Sequence, residues 1–299
     1  MKVIKPIRMS PEKLLSSSAQ EVYTQWDSTT TYDVGDKVLY EQSIYESIIA
    51  SNLNLIPTAN PEQWLRVAPS NTYAMFDNSI STQTSGTTPL TVSVKPSVVF
   101  NSLALLNMDA TSVTIEVLES DELGAPVVYS ETISLLNTET IIDWYTYFFE
   151  NIEYRKDVVV FNIPPYSTGV INITLESGGS DVAIGSMIFG SVYDIGSTQF
   201  GVGLGIRDYS VKQTDTFGNT IFVERNFSKR MTPQVIVQNS QINFVSRVLT
   251  DLRATPTVYV ACDDPKFEPL IVYGYMRDWI IEIPYPDYSY LSLDIEGLT

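Results

Sequence analysis

Short apolar runs, each about the length of a β-strand and each followed by turn residues, constrain this fold more than any other sequence feature. Their spacing of about 10 to 20 residues is typical of an antiparallel sandwich. Thr111 to Leu118 and Gly169 to Leu175 also alternate polar and apolar residues, as half-buried strands do. The runs of the middle region are Leu90 to Val94, Ser102 to Leu106, Ser112 to Leu118, Val127 to Ile133, Val158 to Ile163, Gly169 to Leu175 and Val182 to Ile188.

Composition agrees with this pattern. Only 18% of the 299 residues are charged, whereas tyrosine, threonine, valine and isoleucine are plentiful, and branched and aromatic side chains suit a pleated, half-buried surface. The length allows one large core or two to three small ones. We therefore predict a mainly β protein, with a small β module, an antiparallel, jelly-roll-like β-sandwich and an α+β C-terminal domain.

Changes in residue composition and pattern along the chain predict four segments. Residues 1–22 are polar and Ser-rich, and we expect an N-terminal arm that lies on a neighbouring subunit, with one helical turn near Pro11 to Leu15. Residues 23–69 are predicted to form the small β module, residues 70–195 the sandwich and residues 196–299 the α+β domain.

One helix is predicted in the last segment. Its apolar residues fall on one face at helical spacing, and Asn239 or Ser240 is the candidate N-cap. These apolar residues are Ile242, Val245, Val248, Leu249 and Leu252, and the predicted strands around them are Gln234 to Val237, Thr257 to Ala261, Leu270 to Tyr275, Trp279 to Ile283 and Tyr290 to Ile295.

The glycine-rich stretch from Gly201 to Gly205 precedes that helix. No Lys-Ser/Thr pair follows it, as a phosphate-binding loop requires, so we interpret it as a flexible or bulged strand edge.

The absence of histidine excludes much chemistry. Ser-His-Asp and Cys-His nucleophile activation and His-ligated zinc or haem iron all need that side chain. A single cysteine, Cys262, cannot form an internal disulfide or a Cys-rich metal site. The sequence therefore predicts no cofactor.

Charge and hydropathy restrict the partners. With 18 basic and 35 acidic residues the net charge is −17, which argues against nucleic acid or an anionic membrane as the main ligand. Lys2, Lys5 and Arg8 surround too few apolar residues for a signal peptide, and no apolar stretch is long enough to span a bilayer. We expect no membrane insertion.

The segment from residue 23 to residue 69 carries a resemblance to a known family. Its sequence QWDSTTTYDVGDKVLYEQSIYES, followed by PEQWLRV, resembles the small carbohydrate-binding modules attached to chitinases. The resemblance implies a short twisted sheet built on aromatic residues, with the Tyr-x-x-Gly-Asp-x-Val turn setting the first hairpin. Gly35 suits that turn because glycine readily adopts φ > 0. The residues that carry the resemblance are Trp26, Tyr32, Gly35, Asp36, Val38, Tyr40, Tyr45 and Trp64.

Sugar binding in such modules depends on exposed rings that stack on pyranose faces. The candidates here are Trp26, Tyr32, Tyr45 and Trp64. Residues 47–50 read Ser-Ile-Ile-Ala where the family usually carries one or two tryptophans, so a structural or protein-contacting role stays open beside glycan contact. So small a unit also needs large side chains in its core.

Two further segments resemble bacteriophage structural proteins. Asn71 to Asn78, closely followed by Ser81 to Thr84, is similar to a junction found in many such proteins directly after such a module. Leu293 to Leu298 is similar to their common C-terminus. The resemblance implies a non-enzymatic virion protein of the tail, neck or baseplate, made in the host cytoplasm without a signal peptide. Its expected partners are other virion proteins and copies of itself. The alternative is an adsorption protein that binds a host cell-surface glycan.

Acidic clusters leave a third hypothesis open, a histidine-free glycosidase or depolymerase, which needs only two carboxylates about 5 to 10 Å apart. The clusters are Glu119, Asp121 and Glu122, and Asp263, Asp264 and Glu268. Asp263 and Asp264 are also weak calcium candidates, although neither cluster matches an EF-hand loop. Both clusters lie beside turn residues, where charges are normally solvated.

A basic patch comprises Arg225, Lys229 and Arg230. Its side chains either lie in a solvated loop or meet an acidic surface of a neighbouring subunit.

Overall fold

The computed structural model describes residues 1–137, 143–149, 153–179, 181–214 and 216–299, and it confirms a mainly β protein. The first strands are β1 (Lys2–Pro6), β2 (Leu14–Ser17), β3 (Thr31–Tyr32), β4 (Lys37–Tyr40), β5 (Ser43–Ser47), β6 (Asn52–Leu53), β7 (Trp64–Pro69), β8 (Thr84–Thr87) and β9 (Leu90–Val94). The middle strands are β10 (Ser102–Asp109), β11 (Ser112–Leu118), β12 (Val127–Ser134), β13 (Leu136–Asn137), β14 (Glu153–Tyr154), β15 (Val158–Phe161), β16 (Val170–Glu176) and β17 (Asp181–Asp194). The last strands are β18 (Ser197–Thr198), β19 (Gly203–Asp208), β20 (Val211–Thr214), β21 (Thr220–Val223), β22 (Phe227–Thr232), β23 (Gln234–Gln238), β24 (Thr257–Val260), β25 (Ile271–Glu282) and β26 (Tyr288–Gly297).

The helices are short. Within the described ranges the α-helices are α1 (Trp144–Phe149) and α2 (Ile242–Asp251). Four 3₁₀ helices among the described residues span Pro11–Lys13, Asn71–Phe76, Asn239–Gln241 and Pro265–Leu270. The first of them is the helical turn that the sequence predicted.

A twelve-stranded antiparallel sheet organises the molecule. Its main path runs β15-β10-β17-β1-β24-β25-β26-β22-β19, with β8 on β17, β23 on β26 and β18 on β23. The sheet curls, and Lys229 of β22 forms a 2.6 Å ion pair with Asp157, directly before β15. Segments predicted as separate, residues 70–195 and 196–299, therefore contribute strands to one continuous sheet.

A second sheet completes the predicted sandwich. Its five strands run in the order β12-β11-β16-β9-β2. The largest core lies between it and the β10–β17 part of the large sheet, because inward-facing residues of both sheets interdigitate there. Fully buried members include Val92, Leu103, Ile115, Ile173 and Phe189.

Helix α2 covers another part of the large sheet, where Val245 and Leu249 are fully buried against residues of β1, β23, β24 and β26. The helix was predicted correctly, but the cap was not. A 3₁₀ turn precedes α2, and the Asn239 side chain instead donates to the carbonyl oxygens of Tyr285 and Pro286.

The predicted N-terminal arm is wrong. β1 lies inside the chain's own sheet, between β17 and β24, and β2 pairs with β9. Val3 and Ile4 are both fully buried and belong to different cores. Only Val3 and Ile4 of this strand are fully buried, and they lie between two lysines, so the apolar run is too short to distinguish the strand from a polar tail in the sequence.

Candidate functional site

The aromatic residues of the small module form its core. Residues 23–69 fold into a β3–β6 pair and a β4-β5-β7 sheet around Tyr32, Val38 and Trp64. The rings of Tyr32 and Trp64 meet edge to face with centroids 5.4 Å apart. The Tyr32 hydroxyl accepts from the Asp27 N–H at 2.8 Å, and Trp64 Nε1 donates to the Leu55 carbonyl at 2.7 Å.

Two of the four predicted sugar-binding rings are therefore not accessible. Tyr32 is 7% and Trp64 is 2% exposed, so neither ring can stack on a pyranose. Trp26 and Tyr45 are half-buried against the same cluster, and Trp26 also meets Tyr40 edge to face at 5.6 Å. The predicted Gly35 turn is present, with φ of +92°.

The segment from Asn71 to Asn78 fixes the module to the sandwich. Glu21, which precedes the module, accepts from the backbone N–H groups of Asn71 and Thr72, both at 2.9 Å. The Asn71 side chain donates to the carbonyls of Gln20 and Ser85 and accepts from the Ser85 N–H. The segment thus joins both ends of the module to β8.

The C-terminal segment from Leu293 to Leu298 carries a buried ion-pair cluster. Glu296 is 5% exposed and accepts from Arg207 at 3.1 Å and from the Tyr209 hydroxyl at 3.1 Å. Arg277 lies 3.4 Å from its other oxygen. Since buried carboxylates need such partners, Glu296 acts as a structural tie between β26 and its neighbours.

The acidic clusters are engaged in internal contacts. Asp121 pairs with Lys95 at 2.6 Å and Asp263 with Lys2 at 2.7 Å, and both pairings lower the pKa of the carboxyl. One oxygen of Glu268 accepts from the Lys156 and Asp157 N–H groups at 2.8 Å. A glycosidase acid needs a raised pKa, and Asp121 and Asp263 show the opposite direction.

The calcium candidates are not assembled into a site. Asp264 accepts from the Lys266 N–H and so caps the 3₁₀ helix that follows it, while Asp263 faces Lys2. Within the described ranges, no three acidic or cysteine side chains are grouped as a metal would require.

Large apolar side chains lie exposed on a two-stranded ribbon. We define the exposed ribbon as β19 and β22 with their continuation β20 and β21. Among the described residues β19 pairs with β22 and no other strand, so one backbone edge stays open. Six apolar side chains there are 50% to 89% exposed: Leu204, Ile206, Phe217, Ile221, Phe222 and Phe227.

The ribbon also explains two sequence features. The glycine-rich stretch leads into β19, which is a strand edge as predicted, although its pairing with β22 is regular and contains no bulge. In the basic patch, Lys229 pairs with Asp157 and Arg230 pairs with Asp294 through two 3.1 Å hydrogen bonds, so both contacts are internal. Arg225 is exposed.

A second exposed surface was missed at the sequence level. In α1 the rings of Trp144, Tyr145, Phe148 and Phe149 are 66% to 79% exposed. They form two i, i+4 pairs, Trp144 with Phe148 and Tyr145 with Phe149, with centroids 6.2 and 5.0 Å apart. The sequence feature that indicates this surface is the dense run of aromatic residues at helical spacing. It does not have the alternating pattern of a strand.

No protein-family model and no curated protein matches this sequence. In the part of the chain that the structure describes, every helix is too short or too polar to cross a bilayer.

Proposed function

We propose that this chain is a non-enzymatic structural protein of a bacteriophage virion, in the tail, neck or baseplate. It acts by assembling with copies of itself and with other virion proteins after synthesis in the host cytoplasm. The observation that carries the proposal is the exposed ribbon, whose large apolar side chains lie outside the chain's own cores. The β20–β21 part of the ribbon pairs with no other described strand, and an isolated two-stranded ribbon is marginal in water. An exposed apolar patch of this kind marks a contact surface.

The surroundings of the polar residues support a structural role. The two segments that carry the resemblance to virion proteins make structural contacts. The Asn71 junction ties the ends of the module to β8, and Glu296 of the C-terminal segment ties β26 to Arg207 of β19 within the large sheet. Asp121, Asp263 and Glu268, candidates for glycoside hydrolysis, are bound to cationic or backbone partners.

The proposal is tested in the phage genome that encodes the chain. Phe217→Ser/Phe222→Ser removes two exposed rings from the ribbon, and we expect less of the variant chain in gradient-purified particles and a lower infectious titre. Val34→Ser/Leu123→Ser is the matched control, because Val34 and Leu123 are also exposed apolar residues but lie outside the ribbon. Mass spectrometry of the particles measures incorporation. Absence of the wild-type chain from particles, or wild-type incorporation of the ribbon variant, would contradict the proposal.

A further inference from the structure

An apolar groove lies at the base of the exposed ribbon. It has a volume of about 410 Å³, within the ~300–1,000 Å³ range of sites that bury a compact apolar group. Its lining includes Phe200, Leu204, Cys262 and Phe267. Phe200 is fully exposed and Phe267 half-exposed, so the aromatic walls of the groove are open to an incoming group.

The groove has a distinct electrostatic character. Of the described residues that line it, Lys266 is the one that carries a charge. Its side chain is exposed and forms no ion pair with any described residue. The groove therefore favours an apolar occupant that brings negative charge to the rim.

The α1 segment has the complementary properties. The rings whose exposure the structure describes, those of Trp144, Tyr145, Phe148 and Phe149, are exposed, so they are not seated in the groove of their own chain. Residues 138–154 contain four acidic residues and no basic residue, and Asp143 directly precedes the helix. A six-residue helix is too short to be stable by itself and gains from burial of its rings.

We propose that α1 of one copy docks in the Phe200–Phe267 groove of a second copy. Aromatic side chains seated in a pocket are typical interface anchors. The two surfaces differ, so the contact is heterologous and closes a ring or extends a filament, depending on its rotation. The inference rests on the proposed function in that self-assembly is part of it.

The single natural cysteine makes the contact testable. Cys262 lines the groove and is half-buried, so a second cysteine in α1 of a neighbouring copy would reach it. Tyr145→Cys keeps Trp144, Phe148 and Phe149 in place. We expect mild oxidation of the full-length variant to give disulfide-linked dimers and higher oligomers. Mass spectrometry should then find a cross-linked peptide in which the cysteine introduced at position 145 is joined to Cys262.

Two controls define the result. Tyr145→Cys/Cys262→Ser should lose those oligomers, and Phe217→Cys, exposed on the ribbon, should give no disulfide to Cys262. A mixture of ¹⁴N- and ¹⁵N-labelled Tyr145→Cys protein should give mixed-isotope forms of the cross-linked peptide. Absence of that peptide, or its presence in one isotope only, would overturn the inference.

A charge exchange tests the electrostatic part. Lys266→Glu and Asp143→Lys should each weaken self-association about three- to tenfold, because each places like charges together. Mixing the two variants should restore it, whereas Arg253→Glu, an exposed reversal outside the groove, should have no effect. Light scattering on a sizing column measures association, and a mixture that associates as weakly as its components would count against the contact.

The cross-linking result and the particle result are independent of each other. Disulfide-linked oligomers from a chain that is absent from particles would support this contact and reject the virion role. A chain that is present in particles but gives no cross-linked peptide would support the virion role and reject this contact.

Discussion

The small module and helix α1 use the same residue types in opposite surroundings. In the module, Tyr32 and Trp64 are buried and each makes a hydrogen bond through its polar atom. In α1, Trp144 and Phe148 stack on each other and remain mostly exposed. Aromatic content alone therefore does not locate a binding surface. Rings become part of a core where enough of the chain surrounds them, and they stay available for binding where it does not.

The largest expected effect is the loss of stability when a buried aromatic residue of the module is replaced. Trp64→Ala should destabilise the module by about 3 to 5 kcal/mol, since it removes the largest member of a very small core. Trp144→Ala should change stability by less than about 0.5 kcal/mol, as surface substitutions do. Urea denaturation followed by near-UV circular dichroism measures both. Equal losses in the two variants would show that α1 is packed as tightly as the module.

Substitutions of two glycines compare how tightly the backbone is packed in the body of the large sheet and in the exposed ribbon. A Cβ added to Gly274 would overlap the carbonyl oxygen of Glu296, whereas one added to Gly205 meets nothing within 4 Å. We expect Gly274→Ala to cost about 3 kcal/mol and Gly205→Ala to be neutral within about 0.5 kcal/mol. Melting temperatures of the two variants check this. A tolerated Gly274→Ala would mean that β25 and β26 separate more easily than their close approach indicates.

A smaller effect is expected at alkaline pH from Tyr259, which is fully buried. Burial raises its pKa to about 12, from about 10 in an unfolded chain. The neutral phenol is therefore favoured by folding, and this stability is complete below pH 10 and is lost as the pH rises towards 12. At pH 11 the loss is about 1.4 kcal/mol.

Tyr259→Phe isolates this contribution, because phenylalanine does not titrate. The free energy of unfolding, measured in urea, should fall less between pH 9 and pH 11 for the variant than for the unmodified chain. Burial also raises the pKa of Tyr273 to about 12, so part of the loss should remain. Identical pH dependence of the unfolding free energy in the two proteins would show that folding does not raise the pKa of Tyr259.

Local patterns predicted most of the secondary structure. Leu90–Val94 and Ser112–Leu118 are strands with the predicted bounds, because a two-residue alternation reports burial on one face directly. The strands predicted at Leu270 to Tyr275 and Trp279 to Ile283 are one strand, β25, with a register shift between Met276 and Asp278. An irregularity of that kind breaks the alternation without breaking the strand.

The amino-acid sequence alone predicts the β-rich class, the amphipathic helix in the last hundred residues and the exclusion of histidine chemistry. These follow from residue types and short-range periodicity. Three features could be seen only in the folded chain: β1 lies in the middle of the large sheet, Tyr32 and Trp64 belong to the core of the module, and α1 and the ribbon are exposed. Long-range pairing and the amount of surrounding chain set these outcomes, and neither is encoded in a local pattern.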